Sequence, residues 1–121
     1  MPRVVVVEDD PQIARIVEIK LKKNGFDVTW ASDGGAGLAA VKSCKPDLVL
    51  LDVMMPVMDG YQVLRAIRSE PELAKLPVIM LTAKGQERDI LGGLQEGATD
   101  YIVKSFSPSE VVARVRRALG S

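Results

Sequence analysis

Four consecutive apolar residues, Leu48-Val49-Leu50-Leu51, stop abruptly at Asp52, and a loop bounded by Pro56 and Gly60 follows. A run that short, apolar at every position and closed by turn residues, suits a strand buried on both faces. Strands of that kind occur in parallel sheets covered by helices, which leaves few architectures open to the chain. In open parallel sheets, ligands bind outside the carboxyl ends of the strands. Asp52 is therefore expected at the rim, held by a rigid strand and open to solvent. On its own it equally suits a carboxylate that only caps a strand or begins a turn.

The same pattern recurs along the chain. Val4 to Val7 is an all-β-branched run ending in Glu8, Asp9 and Asp10. Val78 to Leu81 ends in Thr82, and Tyr101-Ile102-Val103 ends in Lys104. Phe26 to Ala31 alternates instead, with Phe26, Val28 and Trp30 set against Asp27 and Thr29, as expected at a sheet edge. Helical spacing fills the intervals. Asp10 as N-cap with Pro11 behind it starts a helix carrying Ile13, Ile16, Val17 and Leu21 on one face, and Gly25 suits its end. Asp33 caps a second helix running to about Cys44, with a frayed start expected from Gly34, Gly35 and Gly37. Asp59 caps a third, with Val63, Leu64 and Ile67 inward. Glu87 to Glu96 reads as a fourth, with Ile90, Leu91 and Leu94 inward. Ser107-Pro108-Ser109-Glu110 is a capping box opening the last helix, which buries Val111, Val112, Val115 and Leu119.

Five strand–helix units imply one α/β domain over residues 1–121, a parallel sheet with right-handed crossovers. The all-apolar strands belong at its centre and the alternating second strand at an edge. That favours a five-stranded, flavodoxin-like order 2-1-3-4-5 with five helices on both faces.

Composition narrows the chemistry. There is no histidine, which excludes Ser-His-Asp hydrolysis, histidine metal sites and a phosphohistidine carrier. Sixteen basic and sixteen acidic residues cancel, so direct nucleic-acid binding is not expected. No apolar run approaches the ~18 residues of a membrane span. Met1-Pro2-Arg3 leads straight into a strand with no signal-peptide pattern, and Cys44 is the only cysteine, so a cytoplasmic location is expected.

If strands 1 and 3 are neighbours, Glu8, Asp9 and Asp52 crowd one spot. Like charges at that distance repel and raise one another's pKa. A hard divalent cation relieves this, and Mg²⁺ takes oxygen ligands while keeping several waters. A metal held by carboxylates commonly awaits a phosphate. Lys104 would add positive charge for phosphoryl oxygens, and Thr82 a hydroxyl donor. Asp52 is then either a third metal ligand or a nucleophile able to form an acyl phosphate.

From end to end the chain resembles the receiver domain of two-component response regulators, the CheY-like fold. The matching segments are Val4 to Pro11, Leu50 to Gly60, Met80 to Lys84 and Gly97 to Lys104, in order and correctly spaced. The resemblance implies that Asp52 accepts a phosphoryl group from the phosphohistidine of a sensor histidine kinase or phosphotransfer protein. It implies that Glu8 and Asp9 hold Mg²⁺, together with Asp52 and the backbone carbonyl of Met54. Glu8, a methylene longer than the aspartate often found there, is expected to reach the metal through water. Lys104 would pair with phosphoryl oxygens. Thr82 would swing toward the phosphoryl group and Tyr101 would follow inward. The surface of the fourth helix, fifth strand and last helix would then change for a downstream effector or output domain. The domain would assist its own phosphorylation and dephosphorylation without being an enzyme.

Two departures accompany the likeness. Ser105 stands where the family has a proline after the lysine, usually across a cis bond, and a cis non-proline bond costs about 3–4 kcal/mol. Either a trans bond that displaces Lys104 and the following loop or a retained cis bond that consumes stability is expected, and with either, slower phosphorylation or looser coupling to Thr82. The subgroup looks like the receivers of OmpR/PhoB-type regulators. Asp100, Glu110 and Arg114 match charged positions that such receivers use to dimerise, but Ile90 replaces a basic residue, so a homodimer is expected to be weak or absent.

Three rivals remain open to test. A pseudo-receiver would bind partners regardless of phosphorylation, its switch impaired by Ser105. A flavodoxin needs a neutral, hydroxyl-rich phosphate loop where Glu8-Asp9-Asp10 stands. A phosphatase with an aspartate nucleophile would want a second acid at Met54.

Overall fold

A computed structural model describes residues 1–83, 97–104 and 106–120. Five strands form one parallel sheet: β1 (Arg3–Val7), β2 (Asp27–Ala31), β3 (Leu48–Asp52), β4 (Val78–Thr82) and β5 (Asp100–Val103). Their order is 2-1-3-4-5, the flavodoxin-like topology expected from the strand patterns. Four helices are described: α1 (Pro11–Lys23), α2 (Gly34–Cys44), α3 (Gly60–Ser69) and α4 (Pro108–Ala118). The helix expected over 87–96 falls outside the described residues, and so do Ile90, Ser105 and the Lys104–Ser105 peptide.

The all-apolar strands do what their composition demands. Every residue of β3 and β4 is buried. One face packs against Val41 of α2 and Val63, Leu64 and Ile67 of α3. The other packs against Val17 and Leu21 of α1 and Val111, Val112 and Val115 of α4. Strand β2, at the edge, is largely exposed.

The helix starts follow their capping residues. Asp10 accepts from the Gln12 N–H, Asp33 from Ala36, and Asp59 forms a reciprocal capping box with Gln62. Two expectations need correction. Ile16 is half exposed and Ala14 is buried in its place, because the contact stripe of α1 runs through a small residue that lets the helix approach the sheet. Helix α2 begins directly at its cap with no frayed turn. Gly37 is buried, and a Cβ there would sit 2.7 Å from both methyls of Val7, so this glycine serves close packing of α2 on β1.

Gly60 lies even closer to the backbone of Asp52 and Val53. Its N–H donates to the Val53 carbonyl at 2.9 Å. The start of α3 is thereby pressed against the end of β3, and the loop between them is held tight. That loop carries strain at Val57, whose φ of 70° is left-handed and whose side chain is 105% exposed. A β-branched residue there is an outlier costing about 1–2 kcal/mol. Since the side chain buries nothing, Val57→Gly should raise stability by about 0.5–1 kcal/mol after the entropy of the added glycine is deducted. Urea unfolding in EDTA measures it, and a loss of stability would mean the loop needs valine.

Candidate functional site

Parallel pairing places Val7 of β1 opposite Leu51 of β3, so the next residues, Glu8 and Asp52, emerge side by side. Their side chains are 0% and 1% exposed. One carboxylate oxygen from each of Glu8, Asp9 and Asp52 lies within 4.8 Å of the others. The three acids expected to converge do so.

Lys104 closes the cluster from the end of β5. Its Nζ is 3.0 Å from Asp52 Oδ1 and 3.2 Å from Glu8 Oε1, and it donates to Glu8 Oε2 at 3.4 Å. The Met54 N–H donates to Asp52 Oδ1 at 3.2 Å and the Asp10 N–H to Glu8 Oε2 at 3.1 Å. The buried Asp52 Oδ2 has no hydrogen bond, and Glu8 Oε1 has only the Lys104 ammonium, 3.2 Å away. Buried polar atoms rarely stay in that condition. When all four groups are ionised, three carboxylates and one ammonium leave two negative charges, which one divalent cation would balance. The donor set, all hard oxygen, fits Mg²⁺. Glu8 contributes a buried carboxylate oxygen to this cluster.

The electrostatics register the same crowding. Burial, reinforced by Asp52, lifts the Glu8 carboxyl from its ordinary 4.5 to about 8. Burial also raises Asp52, against the pull of hydrogen bonds with Glu8 and Lys104. At Asp9 slight burial pushes upward, but hydrogen bonds with Asp52 and Glu8 win and hold it below the ordinary aspartate value. Desolvation acts against the Lys104 ammonium, yet Asp52 and Glu8 outweigh it and raise its pKa.

Thr82 is buried at the end of β4, with Oγ1 3.5 Å from the Ala83 carbonyl. Its own carbonyl accepts from the Lys104 N–H at 2.7 Å, so the hydroxyl and the ammonium ride on joined strand ends. Tyr101 is 7% exposed and its hydroxyl donates to Tyr61 of α3 at 3.3 Å. Tyr61 was not singled out in the sequence, where it reads as a helix surface residue.

The charged trio assigned to dimerisation pairs within the chain. Arg114 reaches both Asp100 oxygens at 3.1 Å and Glu110 at 3.4 Å. These contacts lie within one chain.

The sequence profile of the response regulator receiver domain matches residues 4–116. The DNA-binding response regulator MtrA of Mycolicibacterium smegmatis is 46% identical over 117 residues, 97% of this chain and 50% of that protein. The DNA-binding dual master transcriptional regulator RpaA of Synechocystis is 44% identical over 119 residues, 98% of this chain and 49% of that protein. The chain thus spans about half the length of these relatives. A putative response regulator from Chloroflexus aurantiacus superimposes with a TM-score of 0.94 at 34% identity, covering 99% of this chain and 98% of that one. Vibrio cholerae chemotaxis protein CheY4 gives 0.92 at 31%, covering 98% of each.

Proposed function

The chain belongs to the response regulator receiver domain family, and on that premise we propose that Asp52 is the phosphoacceptor of a Mg²⁺-dependent switch. The observation that carries this reading is the convergence of Glu8, Asp9 and Asp52, with the buried Asp52 Oδ2 lacking a hydrogen bond, beside a lysine at 3.0 Å.

A carboxylate oxygen of Asp52 attacks the phosphorus of a donor phosphohistidine in line. The P–O bond to Asp52 forms as the P–N bond breaks, and the released imidazole takes a proton from solvent. Mg²⁺, held by Glu8, Asp9, Asp52 and the Met54 carbonyl, would neutralise charge on the transferred group. The Met54 N–H contact to Asp52 holds the Val53–Met54 peptide, the one before that carbonyl, beside the carboxylate. Lys104 leaves its carboxylate partners to pair with phosphoryl oxygens, and the Thr82 hydroxyl turns from the Ala83 carbonyl to donate to them. The charge balance between β4 and β5 shifts with it, and phosphorylation biases an existing conformational equilibrium. The partners are a histidine kinase or phosphotransfer protein and an effector or output domain. The domain assists its own phosphorylation and dephosphorylation. We place it in the cytoplasm, where such donors act; no helix among the described residues is long and apolar enough to cross a membrane.

The phosphorylation-independent alternative draws no support from the site, where Lys104 sits within reach of Asp52 despite the serine that follows it. Incubation with acetyl phosphate, followed by intact mass, is the test. One phosphoryl group should add in Mg²⁺ and none in EDTA. No adduct in Mg²⁺, or equal uptake in EDTA, would defeat the proposal.

A further inference from the structure

We infer that Trp30 is a positioning residue for the acidic cradle, acting through the Glu8–Asp9 peptide. The inference rests on the proposed metal site. Strand β2 pairs with β1 as far as Val7↔Ala31, and the Glu8 N–H still donates to the Ala31 carbonyl at 3.0 Å. In a parallel ladder the Glu8 carbonyl would next accept from a backbone N–H farther along β2. The chain has left the sheet by then, because Asp33 turns it into α2. The indole of Trp30 supplies the missing donor: its Nε1–H reaches the Glu8 carbonyl at 2.8 Å.

That carbonyl belongs to the peptide joining two of the three proposed metal ligands. Fixing its plane fixes where the Glu8 side chain ends and where Asp9 begins. The Asp10 N–H, one residue on, closes back onto Glu8 Oε2 at 3.1 Å, so the turn from Glu8 to Asp10 is held at both ends. Outer-shell partners that orient ligands commonly set metal affinity. Trp30 is 43% exposed, so packing alone is a weak reason for a tryptophan here. Indole nitrogen is donor only, and a carbonyl is the partner it requires.

The chain has a single tryptophan, so residue-wide incorporation of an analogue alters Trp30 alone. Replacement by 3-benzothienylalanine keeps the ring shape and removes the N–H; 7-azatryptophan keeps both. Mg²⁺ affinity is read by calorimetry at pH 8, and urea stability in EDTA alongside it. Benzothienylalanine should weaken Mg²⁺ binding about tenfold, the low end for outer-shell partners, and 7-azatryptophan should leave it unchanged. Trp30→Phe should match the benzothienyl protein and serves if the latter folds poorly. Affinity within twofold in both donor-free proteins overturns the inference, whatever happens to stability. Failure of the unsubstituted protein to bind Mg²⁺ is a separate result, which removes the metal site itself and this inference with it.

Discussion

Asp52→Asn is expected to take up no phosphoryl group from acetyl phosphate in Mg²⁺ and, in EDTA, to unfold later than wild type. The first effect follows from chemistry: a carboxamide offers no anionic oxygen to the phosphorus. The second follows from burial. Asp52 and Glu8 are both almost wholly buried, and each titrates above its ordinary value, so their ionisation opposes folding. An amide removes one of the two charges and can donate to the Glu8 carboxylate beside it. Lys104 loses its contact at 3.0 Å but keeps Glu8 at 3.2 Å. The expected gain is about 1–2 kcal/mol, the familiar exchange of stability for a functional charge. Intact mass and urea unfolding check the two halves. A destabilised variant would mean that the Lys104–Asp52 pair outweighs the repulsion.

The second large effect is on pH. A carboxyl with a raised folded pKa favours the protonated form, so the folded protein binds more protons than the unfolded one between the two values. Stability then falls as pH rises. For Glu8 the window runs from its ordinary 4.5 to about 8, and the raised Asp52 adds to it with the same sign. In EDTA, stability should drop between pH 5 and pH 8 by on the order of 2–4 kcal/mol. Saturating Mg²⁺ binds the folded state and its ionised carboxylates, so it should restore most of the loss at pH 8 and little at pH 5. Thermal unfolding across that range, with and without Mg²⁺, measures both. A flat or rising profile in EDTA would contradict the crowding of Glu8 against Asp52.

Much of this was legible in the residues because one signal repeated. An all-apolar run of four has no polar face to offer water, so β1, β3 and β4 had to be central. Once they are central and parallel, the acids behind them fall at one rim. The caps at Asp10, Asp33 and Asp59 were equally readable, since each supplies an oxygen where helix N–H groups lack partners. Other features depend on contacts that spacing does not encode. Periodicity set a stripe on α1 but not its phase, so Ile16 was taken where Ala14 packs. Trp30 looked like one tooth of an alternating edge strand; its bond to Glu8 needs the register of β1 against β2. Tyr61 meets Tyr101 through a side-chain contact 40 residues apart, which spacing does not show. Asp100 and Arg114 can pair within a chain or between two, and sequence does not choose between them.

The most direct test is a crystal soaked in Mn²⁺ as an anomalously scattering stand-in for Mg²⁺, which takes the same oxygen ligands. A single anomalous peak enclosed by the carboxylates of Glu8, Asp9 and Asp52, with Asp52 Oδ2 now engaged, is the predicted result. Density at full Mn²⁺ concentration with no peak there, and Asp52 and Glu8 still paired with Lys104, would contradict it.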